Sequence, residues 1–393
     1  MDIFPYSVDY NLNYTGFKSI SFILVLLMRT TTLYYLLSLI LLFYSGCTSS
    51  SELTQLQNEV NILKKQLHEI RNDQTYSILF IGDILLVNHS RKIIQRKGII
   101  YPFEKIKDDL KSFDYVIANL ETPISQRGIP IRNRYYVFQL HPKLAKSITT
   151  INLDAVTLGN NHLFDFGPQG LNDTIKYLDH WKIMHSGAGA NISEARKPIT
   201  IKHGDINIYI FSYCERPPDK YHATKDQAGT APMDMAMIIE DIETYKKRNN
   251  LVFVSLHWGI EQTHMPQKDQ IARAHEIIDA GADGVIGHHP HWPQAIEVYR
   301  DKPIIYSLGN FVNGHYNKIE KDNIITVFYC KQTKIKEIEI MSIAGKNRET
   351  KFQPFILKGK EARVNLMLIK NLSKYFKTDI EIFGYKGNIK LSN

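Results

Sequence analysis

Five short apolar runs in this chain each end in residues able to bind a metal ion or move a proton. SILFIG ends in Asp83, and YVIA ends in Asn119-Leu120-Glu121. AVTLG ends in Asn160-Asn161-His162, with Asp165 three positions further on. LVFVSL ends in His257-Trp258-Gly259, with Glu261 close behind, and GVIG ends in His288-His289-Pro290-His291. Carboxylates, amides and imidazoles without cysteine are the donor set of a site for Mn²⁺, Fe or Zn²⁺, in which borderline nitrogens mix with hard oxygens. Taken singly, most of these residues have a purely structural reading. Asp83 suits a helix N-cap or Asx-turn, Asn160-Asn161 suits a turn, and His257 beside a tryptophan suits a satisfied core histidine. The segment 288–291 fits such a reading least, because three imidazoles after a buried run are costly to desolvate without a partner. His289 and His291 also share one side of an extended segment. Polar termini on five successive strands are improbable by coincidence, so the joint pattern predicts one metal site.

Those termini meet only if the runs are strands of one architecture. SILFIGD, YVIANLE, AVTLGNN, INIYIFSY, LVFVSLHWG, GVIGHH and PIIYSLGNF are apolar and followed by polar or small residues, as buried strands are. Helical spacing lies between several of them, over 103–113, 168–180, 234–248 and 268–280. The alternation predicts an α/β sheet with crossover helices, in which ligands sit at the carboxyl ends of strands. After residue 319 the pattern turns strand-rich, with ITVFYC, KIKEIEIMSI and TKFQPFIL. IKEIEI alternates with period two, which predicts one solvated face. No Gly/Ser/Pro linker interrupts the middle of the chain, so 77–357 reads as one domain and 358–393 as a C-terminal appendage. The 393 residues, 44% hydrophobic and 11% aromatic, exclude a disordered chain. The formal charge of +8 is spread thinly, and without a dense Lys/Arg block no nucleic-acid partner is expected.

In this order, GDILL, NLETPI, GNNHLFDFGPQGL, HWGIE, GADGVIGHHPHWPQ and SLGNF resemble the bacterial CapA family. That family is associated with capsule and poly-γ-glutamate synthesis and belongs to the calcineurin-like metallophosphoesterase superfamily. The resemblance covers about 77–355. It implies an α/β two-sheet sandwich flanked by helices, with two divalent ions (Mn, Fe or Zn) at the sheet edges. It makes Asp83 the first metal-binding aspartate. Glu121 or Asn119 matches the carboxylate ending the second strand, Glu121 on charge and Asn119 on position. Asn161 is a metal ligand and His162 the group beside the leaving oxygen, while His257, His289 and His291 supply the remaining ligands. Leu85 stands where the superfamily usually has a histidine, which leaves one ion a ligand short. Asp165 and Glu261 are read as residues that orient imidazoles, with Asn119, Asn160 and His288 in the same supporting shell.

The implied chemistry is hydrolysis of a phosphoester with His162 protonating the leaving oxygen. Three functions stay open on the sequence. One is a surface lipoprotein enzyme serving capsule or polyanion assembly. Another is a non-catalytic subunit that holds or exports poly-γ-glutamate beside a membrane synthase. The third is a surface metallophosphatase unrelated to capsule, since fold does not fix function. The expected partners are membrane-bound polymer synthase subunits and an anionic polymer or phosphoester substrate.

Upstream, the apolar run LYYLLSLILLFY over 33–44 follows Arg29 and precedes Ser45-Gly46-Cys47. Its length suits a signal-peptide core and is short for a membrane span. The small pair before a cysteine resembles a bacterial lipobox, with Tyr44 where leucine is usual. Residues 1–47 therefore read as a signal peptide with lipidation at Cys47 and a true start at Met28; the alternative is a signal anchor in which 20–27 join the run. The lipid-anchored domain then lies outside the cytoplasm, at the bacterial cell envelope. Residues 48–76 read as a tether and a heptad helix. Leu53, Leu56, Val60, Leu63, Leu67 and Ile70 form the heptad seam. That helix either holds the domain off the membrane and pairs chains through 53–70, or packs on its own domain as a monomer. Cys214 and Cys330 are too few for a disulfide scaffold and read as buried thiols, a single disulfide being the alternative. The lipobox reading predicts that Cys47→Ser releases the protein from the membrane fraction. Unchanged fractionation, together with an intact N-terminus by mass spectrometry, contradicts it.

Overall fold

The computed structural model describes residues 74–392 apart from 217–218 and 317–318, and in addition Thr54, Asn58, Asn61 and Ile62. The expected signal segment, Cys47 and the heptad positions Leu53, Leu56, Val60, Leu63, Leu67 and Ile70 lie outside the described residues. Among the described residues no helix is long and apolar enough to cross a membrane.

Strand β1 (Thr75–Leu85) reads TYSILFIGDIL and is buried from Tyr76 onward. A run this apolar is stable in a strand whose two faces are both covered. It lies parallel to β2 (Tyr115–Leu120), which continues through β3 (Ala155–Thr157) to β4 (Met184–Ser186), all parallel. After the short β5 (Ala188–Gly189), the strands β6 (Ile199–His203) and β7 (Ile206–Cys214) begin a second sheet. β8 (Gly229–Thr230) pairs with β5. The second sheet gains β9 (Asn250–His257), β10 (Gly284–His288), β11 (Ile296–Tyr299) and β12 (Lys302–Ile305), in the order β11-β12-β10-β9-β7-β6. The chain then returns to the first sheet through β13 (Asn310–Asn313), β14 (Asn323–Lys331), β15 (Lys334–Ile343), β16 (Glu381–Phe383) and β17 (Lys386–Lys390). Its order is β16-β17-β15-β14-β1-β2-β3-β4, with β13 paired to the end of β1.

The sheets pack face to face. Ile78, Phe80, Ile117 and Phe328 of the first meet Ile208, Leu251, Phe253 and Ile286 of the second in one buried core. The helix Gly167–His180 covers the outer face of the first sheet through Leu171 and Leu178. Helices Met235–Tyr245 and Lys268–Asp279 cover the second through Ile238, Ile242, Ala274 and Ile277. The architecture is thus a two-sheet α/β sandwich flanked by helices: the alternation of elements accounts for the α/β class, and the two-sheet form is the one that the family resemblance implies.

Three segments differ from the sequence expectation or refine it. The stretch 103–113 is a 3₁₀ turn, Tyr101–Phe103, and a four-residue helix, Lys107–Leu110. Phe103, Ile106 and Leu110 are all fully buried from these short pieces, so packing alone accounts for the helical spacing. TKFQPFIL forms no strand. Lys351 and Phe352 have φ of 55° and 64°, and Pro354 lacks the N–H a ladder needs, leaving one bridge between Ile343 and Ile356. Residues 358–393 contribute the helix Gly359–Ser373, which sends Leu366 and Ile369 into the inter-sheet core, and β17, which pairs with β15. Cys214 and Cys330 are buried free thiols, and burial pushes both thiols up.

Two glycines set how closely backbone approaches backbone beside the strand ends. A Cβ on Gly82 would lie 2.0 Å from the Gly309 carbonyl oxygen. A Cβ on Gly287 would lie 1.8 Å from the Tyr306 oxygen and 2.8 Å from Trp258 Nε1. Gly287→Ala should therefore cost about 3 kcal/mol by overpacking. Gly98→Ala, at φ 93° and ψ 166° with nothing within 4 Å of the added carbon, should cost about 1–2 kcal/mol from backbone strain alone. Thermal melts by circular dichroism check the ranking, and equal losses contradict it.

Candidate metal centre

Parallel strands from both sheets end at one edge, and the candidate residues stand there. Asp83 is near the end of β1, Asn119 is in β2 and Glu121 lies one residue beyond it. Residues 160–162 follow β3, His257 ends β9 and His288 ends β10. Phe80 pairs with Ile117 but Asp83 pairs with Asn119, so β1 carries one extra residue immediately before Asp83. A bulge of this kind bends a strand and re-aims the side chain that follows. On the loop after β10, His289 and His291 adopt φ of 94° and 58°. Such backbone persists only where its surroundings over-determine it, and it is concentrated at functional sites.

All six expected ligands are brought together. His257 Nε2 is 3.0 Å from Asn161 Oδ1, 3.1 Å from His289 Nδ1 and 3.5 Å from Glu121 Oε1. Asp83 Oδ2 is 3.3 Å from His291 Nδ1, and Glu121 Oε1 is 3.8 Å from His291 Nε2. One ligand atom each from Glu121, His257 and His289 lie within 4.8 Å of one another, as do those of Asp83, Glu121 and His291. Glu121 belongs to both groups. Leu85 instead joins Val87 and Phe138 in a small apolar cluster and offers no ligand.

The supporting residues stand directly behind. Asn119 Nδ2 donates to Asp83 Oδ1 at 2.8 Å, and His288 Nδ1 lies 2.9 Å from the same oxygen. Asn160 Nδ2 donates to Asn119 Oδ1 and to the Leu120 carbonyl, while its own oxygen accepts from the N–H groups of His162 and Leu163. It thereby ties the turn bearing Asn161 to the end of β2. His162 Nδ1 is 2.7 Å from Asp165 Oδ2, so Asp165 orients that imidazole as expected. Glu261 is placed differently. It is exposed, and one ligand atom each from Glu261, His289 and His291 lie within 4.8 Å of one another.

Two residues in the network have no role in the sequence reading. Arg134 donates through Nη1 to Asp165 Oδ1 at 2.9 Å and also to the Asn161 carbonyl. Asn310 Oδ1 lies 3.0 Å from His291 Nδ1. Asn310 sits in SLGNF, where a strand-terminal amide was the available signal; Arg134 lies in a loop without periodicity and carries none.

The donor set fits a cation. Both carboxylate oxygens of Glu121 are buried without a hydrogen-bond partner. Around His257 Nε2, the Glu121 and Asn161 oxygens can only accept, and a neutral imidazole nitrogen can give one proton at most. A divalent ion satisfies all these lone pairs together. The electrostatics agree. Burial, followed by the proximity of His289, holds His257 well below the usual imidazole range. Burial and then His291 bring His289 down to about 3. Both rings are therefore neutral near pH 7, the form that binds metal. Burial pushes Glu121 well above the usual carboxyl range despite the nearby His291. For His291, burial opposes the charged form, but Glu121 and Asp83 outweigh it and lift the ring to about 10. Burial also disfavours the Asp83 charge, yet hydrogen bonds from His288 and His291 hold it well below its usual value.

Comparison with known proteins decides the family. The profile of the family described as "Bacterial capsule synthesis protein PGA_cap" matches residues 77–315. The chain belongs to this CapA family. Over 274 residues it is 30% identical to the PGA biosynthesis protein CapA of Bacillus subtilis, covering 69% of this chain and 72% of that protein. Over 280 residues it is 28% identical to the capsule biosynthesis protein CapA of Bacillus anthracis, covering 70% and 68%. Among solved structures it is similar to the 5'-nucleotidase precursor of Thermus thermophilus, at 11% identity and a TM-score of 0.42, over 72% of this chain and 55% of that one.

The unpaired Glu121 carboxylate in this CapA-family chain gives a stability test. Mn²⁺ or Zn²⁺ at about 100 times Kd should stabilise the protein by about 2.7 kcal/mol relative to chelator. In a chain of this size that is about 3–4 °C in melting temperature. Glu121→Gln should lose most of the shift while matching the wild type in chelator, because burial already favours the neutral form of the Glu121 carboxyl when no cation is bound. Equal metal-induced shifts in both proteins contradict the assignment.

Proposed function

We propose that this chain is a cell-envelope protein of capsule or poly-γ-glutamate biosynthesis whose site is a metal-dependent hydrolase of phosphoester type. Its CapA-family membership and the names of its Bacillus relatives support the process. The observation that supports the chemistry is the convergence of Glu121, Asn161, His257 and His289 on one point, beside the His162–Asp165 pair. The calcineurin-like metallophosphoesterase class follows from the motif resemblance and is consistent with the two-sheet sandwich. Anchoring through Cys47, chain pairing through 53–70 and contact with membrane-bound synthase subunits belong to the same proposal.

In this reading Asp83, Glu121, Asn161, His257, His289 and His291 hold one or two divalent ions, Mn, Fe or Zn. When bound, such ions polarise a phosphoryl oxygen and lower the pKa of water. The chain's own residues do the rest. Asn119, Asn160 and His288 fix the direction of Asp83 and of the turn bearing Asn161. Asp165 binds His162 at Nδ1 and fixes the direction of its ring, leaving Nε2 as the nitrogen able to protonate a leaving oxygen. Arg134 holds Asp165 and the Asn161 carbonyl together, which keeps the proton donor in register with the ligand loop. Phe138 packs on His162 with ring centroids 4.6 Å apart and limits its rotation.

A panel of phosphoesters with the Mn²⁺- or Zn²⁺-loaded protein tests the proposal. Turnover should be lost in chelator. His162→Ala should keep wild-type metal content and lower kcat about 10²–10⁴-fold, the contribution of a positioned proton donor. His289→Ala should lower metal content itself. Metal binding without turnover of any phosphoester overturns the hydrolase reading and favours a subunit that holds an anionic polymer.

A further inference from the structure

Among the described residues, Glu261 is the one exposed member of the acid–imidazole clusters at this edge. The backbone on either side of it is fixed. The Gly259 N–H donates to Glu215 Oε2 at 2.9 Å, and Glu215 is held in turn by Arg273 Nη1 at 2.7 Å. The Gln262 N–H donates to the Pro290 carbonyl at 2.8 Å, and Pro290 lies between His289 and His291. Gly259 and Gln262 have φ of 83° and 61°, so the segment 259–262 turns sharply against the histidine loop. A glutamate placed this way is not a loose surface side chain.

Its surroundings favour coordination over orientation. An orienting carboxylate accepts a hydrogen bond from a ring nitrogen. Among the described residues neither ring donates a hydrogen bond to Glu261; His289 Nδ1 faces His257, and His291 Nδ1 faces Asn310 and Asp83. Yet a Glu261 oxygen lies within 4.8 Å of a ring nitrogen of both His289 and His291, close to the span of about 4.4 Å that two ligand bonds of about 2.2 Å allow, so a small side-chain shift lets one ion bridge them. A further carboxylate beside Asp83 and Glu121 is unfavourable unless a cation lies among them.

We propose that Glu261 is a metal ligand that closes the solvent side of the site between His289 and His291. This rests on the metal-centre reading above. Because the side chain is exposed, it is also the ligand that an incoming substrate anion meets first.

The test uses the purified full-length protein, stripped of metal and titrated with Co²⁺ alone. Visible d–d absorption reports coordination, and calorimetry reports affinity. Glu261→Ala should bind Co²⁺ about tenfold more weakly or worse, with changed d–d bands and an unchanged far-ultraviolet spectrum. Glu276→Ala, at an exposed glutamate on the helix Lys268–Asp279, should match the wild type. Wild-type affinity and d–d bands in Glu261→Ala, with binding lost in His289→Ala, overturn the Glu261 assignment and leave the metal centre standing. No Co²⁺ binding by the wild type overturns both.

Discussion

A fully buried carboxylate without a hydrogen-bond partner is the constraint around which this end of the molecule is organised. Removing an ionised carboxylate from water costs several kcal/mol even after relaxation, unless a counter-charge or donors replace the lost hydration. Asp83 has such donors in Asn119 and His288, and its charge is stabilised. Glu121 has none, although it is equally buried a few ångströms away. Its nearest polar neighbours are imidazoles, of which His257 and His289 are held neutral. Protonation or a cation can relieve Glu121, and a cation would at the same time take lone pairs from Asn161, His257 and His289, which otherwise face one another. The two carboxylates thus divide the work: one is fixed by the protein, and the other is left for an ion.

The sandwich creates that constraint by geometry. Strands of both sheets end at a common edge, and Gly82 and Gly287 allow backbones to approach closer than any side chain permits. The extra residue before Asp83 and the positive φ values at His289 and His291 aim ligands that regular strands would send elsewhere. These departures are costly locally and are held by the packed core between the sheets. Arg134, from a loop, and Asn310, at the start of β13, add further crosslinks, so the site is over-determined from several directions.

Much of this was legible in the sequence, for identifiable reasons. Buried parallel strands announce themselves as continuous apolar runs, and ligand chemistry is restricted to few residue types. Asp83, Glu121, Asn161, His257, His289 and His291 could therefore be grouped before any coordinates. Glu121 is preferred to Asn119 on charge alone, because which side chain finds partners is not written in the sequence. Asn119 is hydrogen-bonded to Asp83 and Asn160, whereas Glu121 accepts no hydrogen bond. Helical spacing over 103–113 misled because Phe103, Ile106 and Leu110 reach the core from two short turns as well as from one helix. Arg134 was invisible because its role exists only where its loop crosses the turn after β3.

The central claim is that a divalent ion sits among Glu121, Asn161, His257 and His289. Anomalous diffraction from crystals grown with Mn²⁺ or Zn²⁺, recorded on both sides of the metal's absorption edge, tests this most directly. The account predicts an edge-dependent peak about 2.0–2.3 Å from a Glu121 oxygen and from ring nitrogens of His257 and His289. A second peak should lie between Glu121, Asp83 and His291 if two ions bind. Absence of any anomalous peak at this edge, with Glu121 hydrogen-bonded to ordered water instead, would contradict it.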